Sequence, residues 1–213
     1  MKTSAALLCI FLAALPPVAA AQSKKPQLSA QLTGGVPDSW SYRNPDVDVG
    51  RYKTFIIEPS VVSTDPAANW GKATEADKQK YAALFTNALR EEIGKSYGLA
   101  TKKGPGVGVM RITLLGVTPT SPIAIATRVT PMGFALTSVK SLRGKPGTFS
   151  GSAQMAFELT DSQSGNLIAA AIRRRSPDAL DIVSTTSTEN TVGAIAKDVA
   201  EAIRVGLDGA SGR

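Results

Sequence analysis

The stretch Ser150 to Thr160 constrains the fold more tightly than any other, because Ala153, Met155, Phe157 and Leu159 alternate there with Ser152, Gln154 and Glu158. A period of two is the mark of a strand with one face inward and the other outward. Turn-forming residues follow from Asp161 to Asn166, and Leu167 to Arg175 then returns as a partner strand. The chain is therefore committed to an antiparallel hairpin, and the rest of it must cover that hairpin's apolar side.

Two segments have the pattern to do so. Behind Thr74, an N-cap with Glu75 and Asp77 in the first turn, Tyr81, Leu84, Phe85, Ala88, Leu89 and Ile93 recur on one helical face until Gly94 or Gly98 ends the run. Glu189 to Gly206 repeats the arrangement with Val192, Ile195, Ala196, Val199 and Ile203. Two further strands are predicted. Tyr52 to Glu58 is β-branched and aromatic and stops at Pro59, while Val107 to Val117 is apolar enough for burial on both faces or a central place in the sheet. The order strand, helix, strand, variable segment, hairpin, helix lacks the regular alternation of a doubly wound sheet. It predicts an α+β fold, a mostly antiparallel sheet with two amphipathic helices packed on one face.

The first residues read as an address. Met1-Lys2 gives a positive start, Ala5 to Leu15 is apolar, and Pro16-Pro17 precedes the small residues Ala19-Ala20-Ala21, so residues 1–21 form a secretory signal peptide cut near Ala21-Gln22. Its apolar run is too short to span a bilayer, and no later run reaches the roughly 18 apolar residues that would. The single Cys, Cys9, lies inside this leader without the small residues that precede a lipidation site, so the mature chain is expected to have neither thiol nor disulfide. Residues 22–50, rich in Pro, Gly, Ser and Gln, read as an extended arm pinned to the domain by Trp40 and Tyr42. Residues 51–208 make a single α+β domain, and 209–213 a flexible tail.

Functional residues are harder to find. The chain has no His, which removes His-based triads, His-ligated zinc and haem, and the usual general base near neutral pH. No Ser-x-x-Lys, Gly-x-Ser-x-Gly or dinucleotide-loop spacing is present. Asp46-Val47-Asp48 reads as a solvated turn and not a cation site, so no metal, cofactor or catalytic residue is expected. Glu158 and Asp161 are the first candidates for an acid/base pair, with Glu58 beside them. Three residues apart on a strand, however, Glu158 and Asp161 point to opposite faces, and they read as a solvent-facing Glu and a turn-capping Asp.

Charge is distributed unevenly. Of 24 Lys+Arg and 17 Asp+Glu, the span from Ile93 to Phe157 holds eight cations (Lys95, Lys102, Lys103, Arg111, Arg128, Lys140, Arg143, Lys145) and no acid. Segregated charge of this kind gathers anionic partners, unless acids from elsewhere in the fold neutralise it. Within the span, Ser121 to Leu136 is apolar but broken by Pro122, Pro131 and Gly133, and presents Ile123, Ile125, Met132 and Phe134 either to the core or to a partner. The candidate binding residues are therefore Arg111, Arg128, Met132, Phe134, Lys140, Arg143 and Lys145. An apolar segment ringed by cations suits an anionic membrane surface.

The segments Asp48 to Pro59, Thr130 to Gly133, and Phe157 to Asp161 running into Ser164 to Leu167 resemble an uncharacterised bacterial family of exported proteins and lipoproteins, domain of unknown function 3313. The resemblance implies export and an α+β fold, and carries no reaction or catalytic residue. Many members of that family have a lipidation Cys after the leader, and this chain has none there. The expected function is that of a periplasmic or secreted, non-enzymatic accessory or binding protein. Its basic span 93–157 would meet an anionic envelope lipid or glycan, or an envelope protein, with no role for nucleic acid. The alternatives are a carboxylate-dependent hydrolase acting on an envelope glycan or ester, and a structural subunit of a larger assembly.

Overall fold

The computed structural model describes residues 39–66, 68–119, 151–177 and 187–212. Among the described residues ten elements follow one another: β1 (Ser39–Arg43), a 3₁₀ turn (Val49–Arg51), β2 (Thr54–Ile57), β3 (Val61–Val62), α1 (Glu75–Gly94), β4 (Gly98–Leu99), β5 (Val107–Thr118), β6 (Ser152–Asp161), β7 (Leu167–Arg175) and α2 (Thr188–Ala210). The strands form one sheet in the order β1-β7-β6-β5-β2-β4, with β3 also on β5. Pairing is antiparallel from β1 to β5 and parallel among β2, β3, β4 and β5. The architecture is α+β with a mostly antiparallel sheet, as the order of periodicities implied.

Both helices lie on one face of that sheet. Tyr52, Phe55, Met110, Ile112, Met155 and Leu159 meet Phe85, Leu89 and Ile93 of α1 and Val192 and Ile195 of α2 in a single core. Burying apolar surface of this kind is the main favourable term in folding, at about 25 cal/mol per Å². A smaller cluster of Leu115, Ala156 and Ile172 occupies the opposite face. β5 sits in the middle and is buried on both sides, which its dense apolar sequence demanded.

Local chemistry fixes the joins. α1 begins at Thr74 with a reciprocal capping box: the Asp77 amide donates to the Thr74 hydroxyl at 3.2 Å and the Thr74 amide to the Asp77 carboxylate at 2.9 Å. Pro59 interrupts the line of β2 and β3 along β5. There the Ser60 amide donates 2.8 Å to the buried Thr86 hydroxyl, which in turn donates to the Ala82 carbonyl at 3.1 Å. Gly108 allows β5 to pass under an aromatic ring, since a Cβ there would stand 2.7 Å from Phe55 Cδ1. The arm read over 22–50 contributes β1, which pairs antiparallel with β7 from Ser39 to Arg43. α2 continues to Ala210, past the Gly206 at which the apolar pattern ends.

Candidate functional site

Side-chain alternation sorts the candidate residues onto the two faces of the sheet. Arg111 is on β5, on the face away from the helices, and its Nε donates 2.7 Å to Glu58 Oε2 at the end of β2. Its Nη2 donates to the same oxygen. Both side chains are about one-third exposed, 31% and 32%. Glu158 stands directly across from Arg111 on β6. One rung therefore carries Glu58, Arg111 and Glu158 side by side, continuing through Ala170 on β7 to Tyr42 on β1.

This rung corrects the expectation for Glu158, which was to face solvent and instead is buried at 7% exposure. Alternation tells which side of the sheet a residue takes but not what covers that side, and β6 is largely buried on both. The rung also bears on catalysis. Glu58 and Glu158 share a face, two strands apart, but the strand between them carries Arg111, hydrogen-bonded to Glu58, where a carboxylate pair of glycosidase type needs space for a sugar and a water. Asp161 takes the other face, as alternation required.

There Asp161 is fully engaged. Its Oδ1 accepts from the Gln163 amide at 3.0 Å, the Ser164 amide at 2.8 Å and the Ser164 hydroxyl at 2.9 Å, closing the β6–β7 turn as expected. Its Oδ2 accepts from the hydroxyl of the buried Tyr52 at 2.9 Å. Arg51 donates 2.6 Å to the same hydroxyl and stacks on the Tyr52 ring at 4.9 Å. Burial alone would push the Asp161 carboxyl up, but the bonds from Ser164, Tyr52 and Gln163 outweigh it and hold the group below its ordinary value. Such a carboxylate is an acceptor and a structural anchor, not a general acid. The strand expected from Tyr52 begins only at Thr54: Arg51 ends the 3₁₀ turn and the buried Tyr52 caps it, a role that no local period marks.

Among the described cations between Ile93 and Phe157, Lys95 pairs with Glu92 and Arg111 with Glu58, both acids from outside the span. Lys102 and Lys103 stand exposed on the loop leading to β5. Arg128, Met132, Phe134, Lys140, Arg143 and Lys145 lie outside the described residues, as do the leader and most of the arm. Among the described residues no group of three or more metal-ligating side chains converges, and no helix is long and apolar enough to cross a membrane.

The model of the family described as protein of unknown function DUF3313 matches residues 21–203. The chain belongs to this family. None of the curated proteins matches it by sequence. Among solved structures, this DUF3313 protein is similar to a dodecameric PelC variant from Paraburkholderia phytofirmans, at 14% identity and a TM-score of 0.39, over 79% of this chain and 95% of that one. A second PelC dodecamer structure from the same organism aligns at 12% identity and a TM-score of 0.36, covering 76% and 97%. Protein XCC0632 from Xanthomonas campestris, of family model DUF330, aligns at 8% identity and a TM-score of 0.36, covering 80% and 94%.

Proposed function

We propose that this DUF3313 protein is an exported, non-enzymatic envelope protein, periplasmic or secreted, that binds an anionic envelope component or partner protein through its basic middle span, residues 93–157. The observation that carries the reading is the segregation of charge: the span has eight cations and no acid. A surface of one sign concentrates counter-charged partners and speeds their encounter. The folded chain supplies acids to only two of those cations among the described residues, and leaves Lys102 and Lys103 exposed. A binding role also fits the state of the carboxylates, since Glu58 is tied to Arg111 and Asp161 to its turn and Tyr52.

Replacing Lys140, Arg143 and Lys145 together by Glu tests this. Sedimentation with bacterial envelope fractions at low salt should fall sharply in the variant, and in the parent should fall as salt rises, because screening shortens the reach of surface charge to about 8 Å at physiological ionic strength. Unchanged sedimentation of the variant would overturn the reading. Mass spectrometry of natively produced protein checks export directly: the expected N-terminus is Gln22.

A further inference from the structure

The cover that α2 gives the sheet is incomplete. Along its last turns Ala202, Gly206 and Ala210 face Ala169 and Ala171 of β7 and Phe157 of β6, and side chains this short leave an apolar cleft of about 230 Å³ between helix and sheet. The cleft is open to solvent on its helix side, where Gly206 is exposed and a Cβ built on it meets nothing within 4 Å. At about 30 Å³ for each water-sized group, the cleft holds a chain of roughly seven or eight methylenes.

The side chains that line the cleft carry charge of one sign, although the exposed Asp48 stands beside the lining residue Val49. Among the described residues no carboxylate lines the cleft, and neither β1 nor β7 contains an acidic residue. Arg43, at the end of the edge strand β1, lines it and pairs in register with Ala169. Alternation puts Arg173 on the same face two rungs further along β7, where its Nη1 donates to the carbonyls of Trp40 and Ile172 at 2.5 and 2.8 Å. Carbonyls orient a guanidinium without cancelling its charge. The acids that flank this part of α2 are drawn elsewhere, Asp208 to Arg204 at 2.8 Å and Glu201 to the same residue at 4.0 Å.

We propose that this cleft binds one fatty acid of medium length, its tail between α2 and the β6–β7 face and its carboxylate at Arg43. Apolar walls with Arg43 at the lip match a single-chain amphiphile with an anionic head, and a guanidinium meets a carboxylate through two parallel N–H donors. The cations of the basic span invoked above are not among the residues that line it.

The test is calorimetric titration of the purified full-length protein with decanoate, and with decanol as the same tail bearing a neutral head. Decanoate should bind saturably at one site per chain. Gly206→Leu, which fills the cleft and favours the helix, should lower its affinity at least about tenfold while keeping or raising Tm; Ala202→Leu provides the same block should the first variant fail to fold. Arg43→Ala should weaken decanoate by roughly tenfold, the value of a charge-assisted hydrogen bond at the low end, and leave decanol within about twofold. The Lys140, Arg143 and Lys145 reversal should bind decanoate like the parent, which separates this site from the envelope-binding reading. Absence of saturable binding in the parent at millimolar decanoate, or equal affinity in the folded filled variants, would overturn the proposal, and equal weakening of both ligands by Arg43→Ala would overturn its head-group assignment.

Discussion

Tyr52 and Asp161 are separated by 109 positions and meet through one hydrogen bond, and that contact joins the end of the 3₁₀ turn ahead of β2 to the tip of the β6–β7 hairpin. Because the folded Asp161 carboxyl titrates below its ordinary value, the unfolded chain holds this proton more tightly. Its stabilising contribution is therefore complete above the ordinary carboxylate range, near pH 4, and is lost as pH falls through the lower folded value. Asp161→Asn should cost about 1–2 kcal/mol in urea unfolding at pH 7, and the gap to the parent should close below about pH 4. A gap that stays constant down to pH 2 would mean that the charge plays no part. Glu92 follows the same sign, since the Lys95 hydrogen bond, opposed by burial and helped by Arg204, lowers it. The comparison with Asp161→Asn isolates one group from that shared background.

Among the elements, β5 shows how a strand serves as a chassis. It pairs with β6 along its length on one side and with β2 and β3 on the other, and Gly108 lets the Phe55 ring and Leu159 close over it. Gly108→Val should destabilise the protein by about 1–3 kcal/mol, the range for overpacking a filled core. A guanidinium midpoint equal to the parent's would show that the ring moves aside freely. α1 depends on its start: Thr74→Ala removes the acceptor for the Asp77 amide and should cost about 1 kcal/mol. The helices and the hairpin were legible because each repeats its own period over ten or more residues. β1, β3 and β4 were not, since strands of five, two and two residues carry too few side chains to show a period and exist only because a neighbouring strand offers hydrogen-bond partners.

At the scale of the molecule, one core joins both helices to one face of the sheet. Phe85 is 1% exposed at the centre of α1's buried side. Phe85→Ala should therefore cost about 3–5 kcal/mol and shift the loss of helix, read by circular dichroism, and the tryptophan fluorescence change together. Two separated transitions would show that the helical layer and the sheet are independent units. The same whole-molecule view decides what the charges can do. Eight cations in a row of sequence are not eight on a surface, because folding brings Glu58 to Arg111 across 53 positions, whereas Glu92 lies only one helical turn from Lys95.

The sequence by itself determined the hairpin, the two amphipathic helices, the α+β class and the turn-capping role of Asp161, because each is set by neighbours within a few residues. Only the tertiary structure decided that Glu158 is buried, that Arg111 answers to Glu58, that Tyr52 holds the hairpin tip, and that short side chains on α2 and β7 leave a cleft beside Arg43. Those outcomes depend on which strand lies next to which and how closely a helix approaches a sheet. Such distances are fixed by packing among residues far apart in the chain, and no local period records them.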